Sequence, residues 1–315
     1  MKKNLVGISL LFVFLFGCGG NTTQTNVNSP TNTNQSVANS NKPSDKTSTP
    51  SKTYAQMSED EKTKFIAEQT NKILDTFGRA EGDKANDIGL KMIKEFIDTY
   101  TKKPPLPKSD KCTLNNDVST ILTRGTDVAK MLNGEFKSLE VPSYIGIYLP
   151  MIESEYCLCI QAPTGGMGMF QFTAATAAEY GLKTTKGATP TSPDDRCDPK
   201  LSAQAAAKYI KAIITKELAS KMNAISYPLA ISAYNSGEVA MKKHIIDVIN
   251  STKNENVSFW TLLENENSLP KDAIYSKQFQ AENKKYVPKF FAAAIIGENP
   301  RVFGVDIAPL SESNK

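Results

Sequence analysis

The sequence predicts an all-α protein. Apolar residues recur at helical spacing in stretch after stretch, loops rich in Pro and Gly separate those stretches, and no run alternates with the period of a strand. No segment repeats at a solenoid period. The 315 residues leave room for one large helical domain preceded by smaller parts.

The chain opens with Met1-Lys2-Lys3-Asn4 and an apolar run from Leu5 to Gly17, the pattern of an export signal. Because a comfortable membrane span needs about 20 apolar residues, residues 1–17 read as a cleaved signal peptide. Leu15-Phe16-Gly17-Cys18 resembles the lipobox of bacterial lipoproteins, with Phe16 bulkier than that motif usually has. The resemblance implies that Cys18 is acylated and holds the chain on a membrane leaflet. Gly19 lacks the Asp associated with inner-membrane retention, so the expected address is the outer membrane, facing the periplasm. Residues 18–54 form a polar linker of Asn, Thr, Ser, Gln, Lys, Gly and Pro with too few apolar side chains to offset the entropy of ordering them. By random-coil scaling such a tether reaches about 30 to 35 Å.

Residues 55–135 are expected to form a small N-terminal helical region. Ser58-Glu59-Asp60-Glu61 is a capping-box pattern, and Phe65, Ile66, Ile73, Leu74 and Phe77 follow at helical spacing. A second helix carries Ile88, Met92, Ile93, Phe96, Ile97 and Tyr100 and stops before Pro104, Pro105 and Pro107. The larger domain is placed at 136–310. In it Asp198-Pro199 reads as an N-cap with Pro at the first helical position, ahead of an apolar stripe running from Ala203 to Leu218. Another helix opens near Pro228. The last runs from about Pro288 to a cap at Gly297.

Charge and composition remove several functions. The formal net charge of +4 falls to +2 without Lys2 and Lys3, which gives no sign of nucleic-acid binding. The single histidine, His244, follows Lys242 and Lys243 and reads as part of a solvated helix face. Triad hydrolases would rest wholly on it, so carboxylates are the first candidates for chemistry. Besides Cys18 there are Cys112, Cys157, Cys159 and Cys197, an even set that reads as two disulfides among three connectivities in an exported chain. Their spacing is not that of a structural zinc site, and no cofactor is implied.

Three elements carry candidate chemistry. Leu149-Pro150-Met151-Ile152-Glu153 places a carboxylate directly after apolar and ring residues. Burial there would raise its pKa and suit it to donate a proton near neutral pH. Glu155 lies about 200° further round a helix and cannot share its face. Pro163 to Phe172 holds three glycines and ends in Gln171 between two aromatics, while Leu229 to Gly237 sets Tyr234 and Asn235 at the end of an apolar run. Taken singly, each has a bland reading: a surface or capping Glu, a turn, a buried Tyr with an Asn cap.

Together and in this order they resemble the lytic murein transglycosylases, membrane-bound enzymes with a lysozyme-like (goose-type, SLT) helical domain. The resemblance rests on Glu153-Ser154, the glycine-rich stretch to Gln171-Phe172, Tyr180-Gly181-Leu182, Asp195-Arg196, Asp198-Pro199, Ala206 to Tyr209, Ala233-Tyr234-Asn235 and Gly237. It continues through Phe259-Trp260, Leu269-Pro270, Glu282, Tyr286-Val287-Pro288-Lys289 and Ala292 to Phe303-Gly304. Gly166, Phe170, Ser236 and Asn283 depart from the family pattern by small or shape-similar exchanges.

The resemblance implies Glu153 as a single acid/base that cleaves the bond between N-acetylmuramic acid and N-acetylglucosamine in peptidoglycan glycan strands and leaves 1,6-anhydro ends. It implies substrate contacts from Ser154, Met169, Gln171, Tyr234, Asn235 and Tyr286, with Tyr234 holding or polarising Glu153. Cys157, Cys159 and Cys197 are not general features of that family; a disulfide joining the Cys157/Cys159 segment to Cys197 near the cleft is expected, with Cys112 tying in the N-terminal region. Two alternatives stand beside it. One is a hydrolytic lysozyme on the same scaffold using Asp194, Asp195 or Asp198, and the other is a non-catalytic glycan-binding lipoprotein.

Overall fold

The computed structural model describes residues 52–78, 83–106, 112–218, 226–271 and 274–313. The expected signal peptide, Cys18 and all but the end of the polar linker lie outside the described residues. Among the described residues there is no strand, only the isolated bridges Gln161 to Met167, Met167 to Phe172 and Thr189 to Ser192. No described helix is long and apolar enough to cross a membrane.

Helix α1, Glu59–Thr76, begins as its capping box requires. The Glu61 N–H donates to Ser58 Oγ at 3.2 Å and the Ser58 N–H to the Glu61 carboxylate at 2.8 Å, satisfying two otherwise orphaned donors. α2, Asp87–Thr101, is capped by Asn86 and buries Ile93, Ile97 and Tyr100. α3, Val118–Ser138, is capped by Asp117 and packs against α4, Ser143–Ser154, and against α6, Pro199–Ala212. α5, Ala174–Glu179, is a short helix capped by Thr173. α7, Tyr227–Ser236, and α8, Glu238–Thr252, follow, then α9, Phe259–Glu264, and α10, Ile274–Gln278. α11, Lys284–Glu298, is the central element and touches α1, α2, α4 and α7.

One hydrophobic core runs from Tyr54 to Leu310. The division expected at 135/136 falls inside α3, which continues through it unbroken. The N-terminal helices share their core with α11 rather than forming a separate one. The linker also ends sooner than expected: Tyr54 is buried and its ring lies 5.2 Å from that of Phe303.

Three helical expectations are corrected. The stripe from Ala203 does not stay α-helical to Leu218; α6 stops at Ala212 and a π-helical turn covers Ile213–Leu218. The last helix starts at Lys284, directly after a π-helical segment at Phe279–Asn283, and carries Pro288 inside it. The only N–H that Pro288 lacks is the one that would meet Lys284 O, so the helix tolerates it one turn in. Gly297 is likewise inside α11 and not its cap. A Cβ there would sit 2.3 Å from the Tyr148 ring, so the glycine serves the close approach of α11 to α4.

His244 is not on a solvated face. It is fully buried on the inner side of α8 with Ala240, Met241, Ile245 and Val248, and its ring lies 5.1 Å from that of Phe279. Among the described residues neither ring nitrogen has a hydrogen-bond partner, and burial pulls its pKa from 6.5 down to about 4. Lys242 and Lys243 precede it in sequence, but charged neighbours mark only their own face of a helix.

Candidate active site

Glu153 occupies the last turn of α4, a helix that is buried on nearly every side. The helix ends because Glu155 and Tyr156 both take left-handed backbone angles, φ +49° and +61°. That reversal sends the two glutamates apart. Glu155 accepts hydrogen bonds from the Asn115 and Asn116 N–H groups and the Asn116 side-chain amide, at 2.9 to 3.0 Å. It also pairs with Lys103 at 2.9 Å. The Cys112–Cys157 disulfide closes the same corner. Glu155 is thereby committed to anchoring the segment that follows α2.

Glu153 faces the opposite way, toward α11, and is 9% exposed. The Tyr286 hydroxyl donates a short hydrogen bond to Glu153 Oε1. Lys289, one turn further along α11, donates from Nζ to Ile152 O at 2.7 Å. Burial raises the Glu153 carboxyl from 4.5 to about 7, against the opposing pull of the Tyr286 hydrogen bond and the nearby Lys289 ammonium. A carboxylic acid poised there holds its proton near neutral pH and can donate it.

The glycine-rich loop forms a second wall. Gly168 has φ +83°, and a Cβ on it would fall 1.7 Å from Arg196 O, so no other residue fits without moving backbone. The Arg196 guanidinium pairs with Asp194 at 2.9 Å and donates to the carbonyls of Gly165 and Phe172. The Cys159–Cys197 disulfide ties the end of the acid segment to the Arg196 corner. Gln171 lies half-buried with φ +53°, its amide nitrogen donating to Gly168 O at 2.7 Å and Ile160 O at 3.2 Å.

The third wall is the end of α7. Tyr234 donates to Phe170 O at 2.9 Å and so joins α7 to the glycine-rich loop. Asn235 accepts a 2.5 Å hydrogen bond from Asn283. The Tyr234 ring lies 5.3 Å from that of Tyr209, which lies 4.8 Å from that of Tyr180. Three rings thus pack in a row from the end of α7 toward α5, with Tyr209 buried and Tyr180 and Tyr234 partly buried.

The structure brings Tyr286 and Tyr234 to Glu153, sets Gln171 beside the Phe170 carbonyl that Tyr234 meets, and bonds Asn235 to Asn283 just before α11, but it alters several expected roles. Tyr286, not Tyr234, hydrogen-bonds the acid. Ser154 is 1% exposed, and its hydroxyl meets Met169 O at 2.8 Å and Pro150 O at 3.1 Å. Met169 is wholly buried. These two lock the loop against α4 rather than present side chains to a ligand. Sequence reading gave no role to Lys289 or to Tyr180 and Tyr209. The spacing of three from Tyr286 on one helix was the available signal for Lys289. The two disulfides, Cys112–Cys157 and Cys159–Cys197, join the segments expected from the cysteine positions.

Residues 132–257 match the family described as Transglycosylase SLT domain. The matched stretch holds Glu153, the glycine-rich loop and the end of α7, and the helices described above share the all-α, lysozyme-like fold of that domain. Among curated proteins, Membrane-bound lytic murein transglycosylase D of Escherichia coli (strain K12) is 28% identical over 180 residues, which is 57% of this chain and 33% of that protein. Peptidoglycan transglycosylase gp16 of Escherichia phage T7 is 37% identical over 86 residues, covering 27% of this chain and 6% of its own length. The chain thus spans about a third or less of the length of these relatives.

Proposed function

We propose that the protein is a peptidoglycan lytic transglycosylase in which Glu153 is the single acid/base. The observation that carries this is a buried carboxyl held at about 7 beside the Tyr286 phenol, with Glu155 turned away. Glu153 protonates the oxygen between N-acetylmuramic acid and N-acetylglucosamine, and the bond opens through an oxocarbenium-like state. The resulting carboxylate then takes the proton of the muramic acid 6-hydroxyl, which attacks the anomeric carbon and closes the 1,6-anhydro ring. The nucleophile is already on the ring, so proximity replaces a second carboxylate.

The hydrolytic alternative loses its candidates to structural work. Asp194 pairs with Arg196, Asp195 accepts the Lys183 N–H at 2.8 Å, and Asp198 caps α6 through Lys200 and Leu201. Gln171, Asn235 and the Tyr180–Tyr209–Tyr234 row supply polar heads and ring faces for the glycan. The chain is placed in the cell envelope, anchored through Cys18; replacing Cys18 with Ser should abolish incorporation of labelled fatty acid.

Digestion of purified peptidoglycan by wild type and Glu153→Gln tests the activity. Anhydro-ended muropeptides from wild type and none from the variant are expected. Equal release by both would remove Glu153 from the mechanism.

A further inference from the structure

Tyr286 and Lys289 reach the same turn of α4 from one face of α11. Tyr286 meets the Glu153 carboxyl, while Lys289 Nζ meets the Ile152 carbonyl at 2.7 Å. That carbonyl is one of the orphans at a helix end. The chain leaves α4 at left-handed Glu155, whose N–H returns to Met151 O, and the Tyr156 N–H returns to Pro150 O, so among the described residues no backbone donor closes on Ile152. A cation at a helix C-terminus also suits the negative end of its dipole.

The same ammonium lies within electrostatic reach of Glu153, Glu155 and Lys103. Glu155 is already satisfied by Lys103, Asn115 and Asn116. The segment after α2 thereby leaves Lys289 to the acid. We propose that Lys289 is a positioning residue for Glu153: it pins the peptide that carries the acid and supplies the positive charge that offsets the carboxylate once its proton has left. This rests on the function proposed above. The groups facing the Glu153–Lys289 pair are Glu155 beyond the end of α4, Lys103 after α2, Tyr286 on α11 and Tyr234 on α7. Burial also lowers the Lys289 pKa, as expected for a cation enclosed with its partners.

The test uses the full chain in detergent, soluble uncrosslinked glycan strands, and the variants Lys289→Met and Lys289→Arg. Losing the cation makes ionised Glu153 less favourable. The Met variant should therefore lose kcat by about tenfold or more with KM within about twofold. The upper limb of its pH profile should move to higher pH by about half a unit or more. Arg should restore most of both. Should the Met variant fail to fold, Lys289→Gln keeps a donor for Ile152 without the charge and should show the same upward shift.

Wild-type kcat and an unmoved profile in the neutral variants, with or without a lower melting temperature, would overturn the proposal. If wild type makes no anhydro ends, the proposed function fails separately. The Lys289 inference is then decided by infrared titration of the Glu153 carboxyl, identified by its loss in Glu153→Gln. A midpoint raised by the Met or Gln variant supports it, and an unchanged midpoint defeats it.

Discussion

Replacing Glu153 with Gln should make the protein more stable at alkaline pH, although it removes the group assigned to the chemistry. Burial lifts the carboxyl from 4.5 to about 7, and each unit is worth 1.36 kcal/mol, so the cost of carrying this acid reaches ~3 kcal/mol. The sign follows from linkage. Below pH 4.5 the carboxyl is neutral in both folded and unfolded chains and costs nothing. As pH rises toward 7 the unfolded chain ionises first, so folding stability declines, and above 7 the whole penalty is present. Gln is neutral throughout and can still accept from Tyr286. The variant should match wild type near pH 4 and exceed it by ~3 kcal/mol at pH 8, a rise in melting temperature of roughly 6 to 12 °C for a domain of this size. Calorimetry of both proteins at the two pH values is the assay. A variant no more stable than wild type at pH 8 would mean that the carboxyl is not held neutral by burial.

Further outcomes follow from other contacts. Gly168→Ala should cost at least about 2 kcal/mol or prevent folding, measured by thermal melts, because its Cβ would overlap Arg196 O and the backbone there is left-handed. His244→Leu should be more stable than wild type by up to about 3 kcal/mol at acid pH. The depressed pKa means that wild type keeps its full stability above 6.5 and loses it as pH falls toward 4; urea melts giving equal or lower stability for the variant at pH 5 would contradict this. Removing the Cys159–Cys197 bridge by paired Ser substitutions should cost about 2 to 4 kcal/mol, given the separation of 38 residues, and should raise KM as the glycine-rich loop loosens. Unchanged melting and KM would show that the corner is held by Arg196 alone.

Much of this was legible in the sequence because local signals and the fold agreed. Ser58 and Glu61 announced α1, Asp198-Pro199 announced α6, and the placement of Glu153 after an apolar run correctly suggested a buried carboxyl. The misses share a cause: each residue's role is set by a partner distant in the chain. His244 looked solvated because its neighbours are lysines, yet the inner face of α8 buries it against Phe279. Gly297 looked like a cap until Tyr148 claimed the space beside it. Lys289 and Glu155 gain meaning only when α11 and the segment after α2 converge on the end of α4. The π-helical segment before α11 has no simple periodic signature, so the start of that helix was placed too late.

The most direct check on the central idea is digestion of glycan strands in water enriched in heavy oxygen, followed by mass spectrometry of the new muramic acid ends. Closure by the sugar's own hydroxyl predicts ends one water lighter than hydrolysis would give, free of solvent oxygen, and absent with Glu153→Gln. Ends carrying the heavy oxygen would mean that water is the nucleophile and that a second activating group has been overlooked.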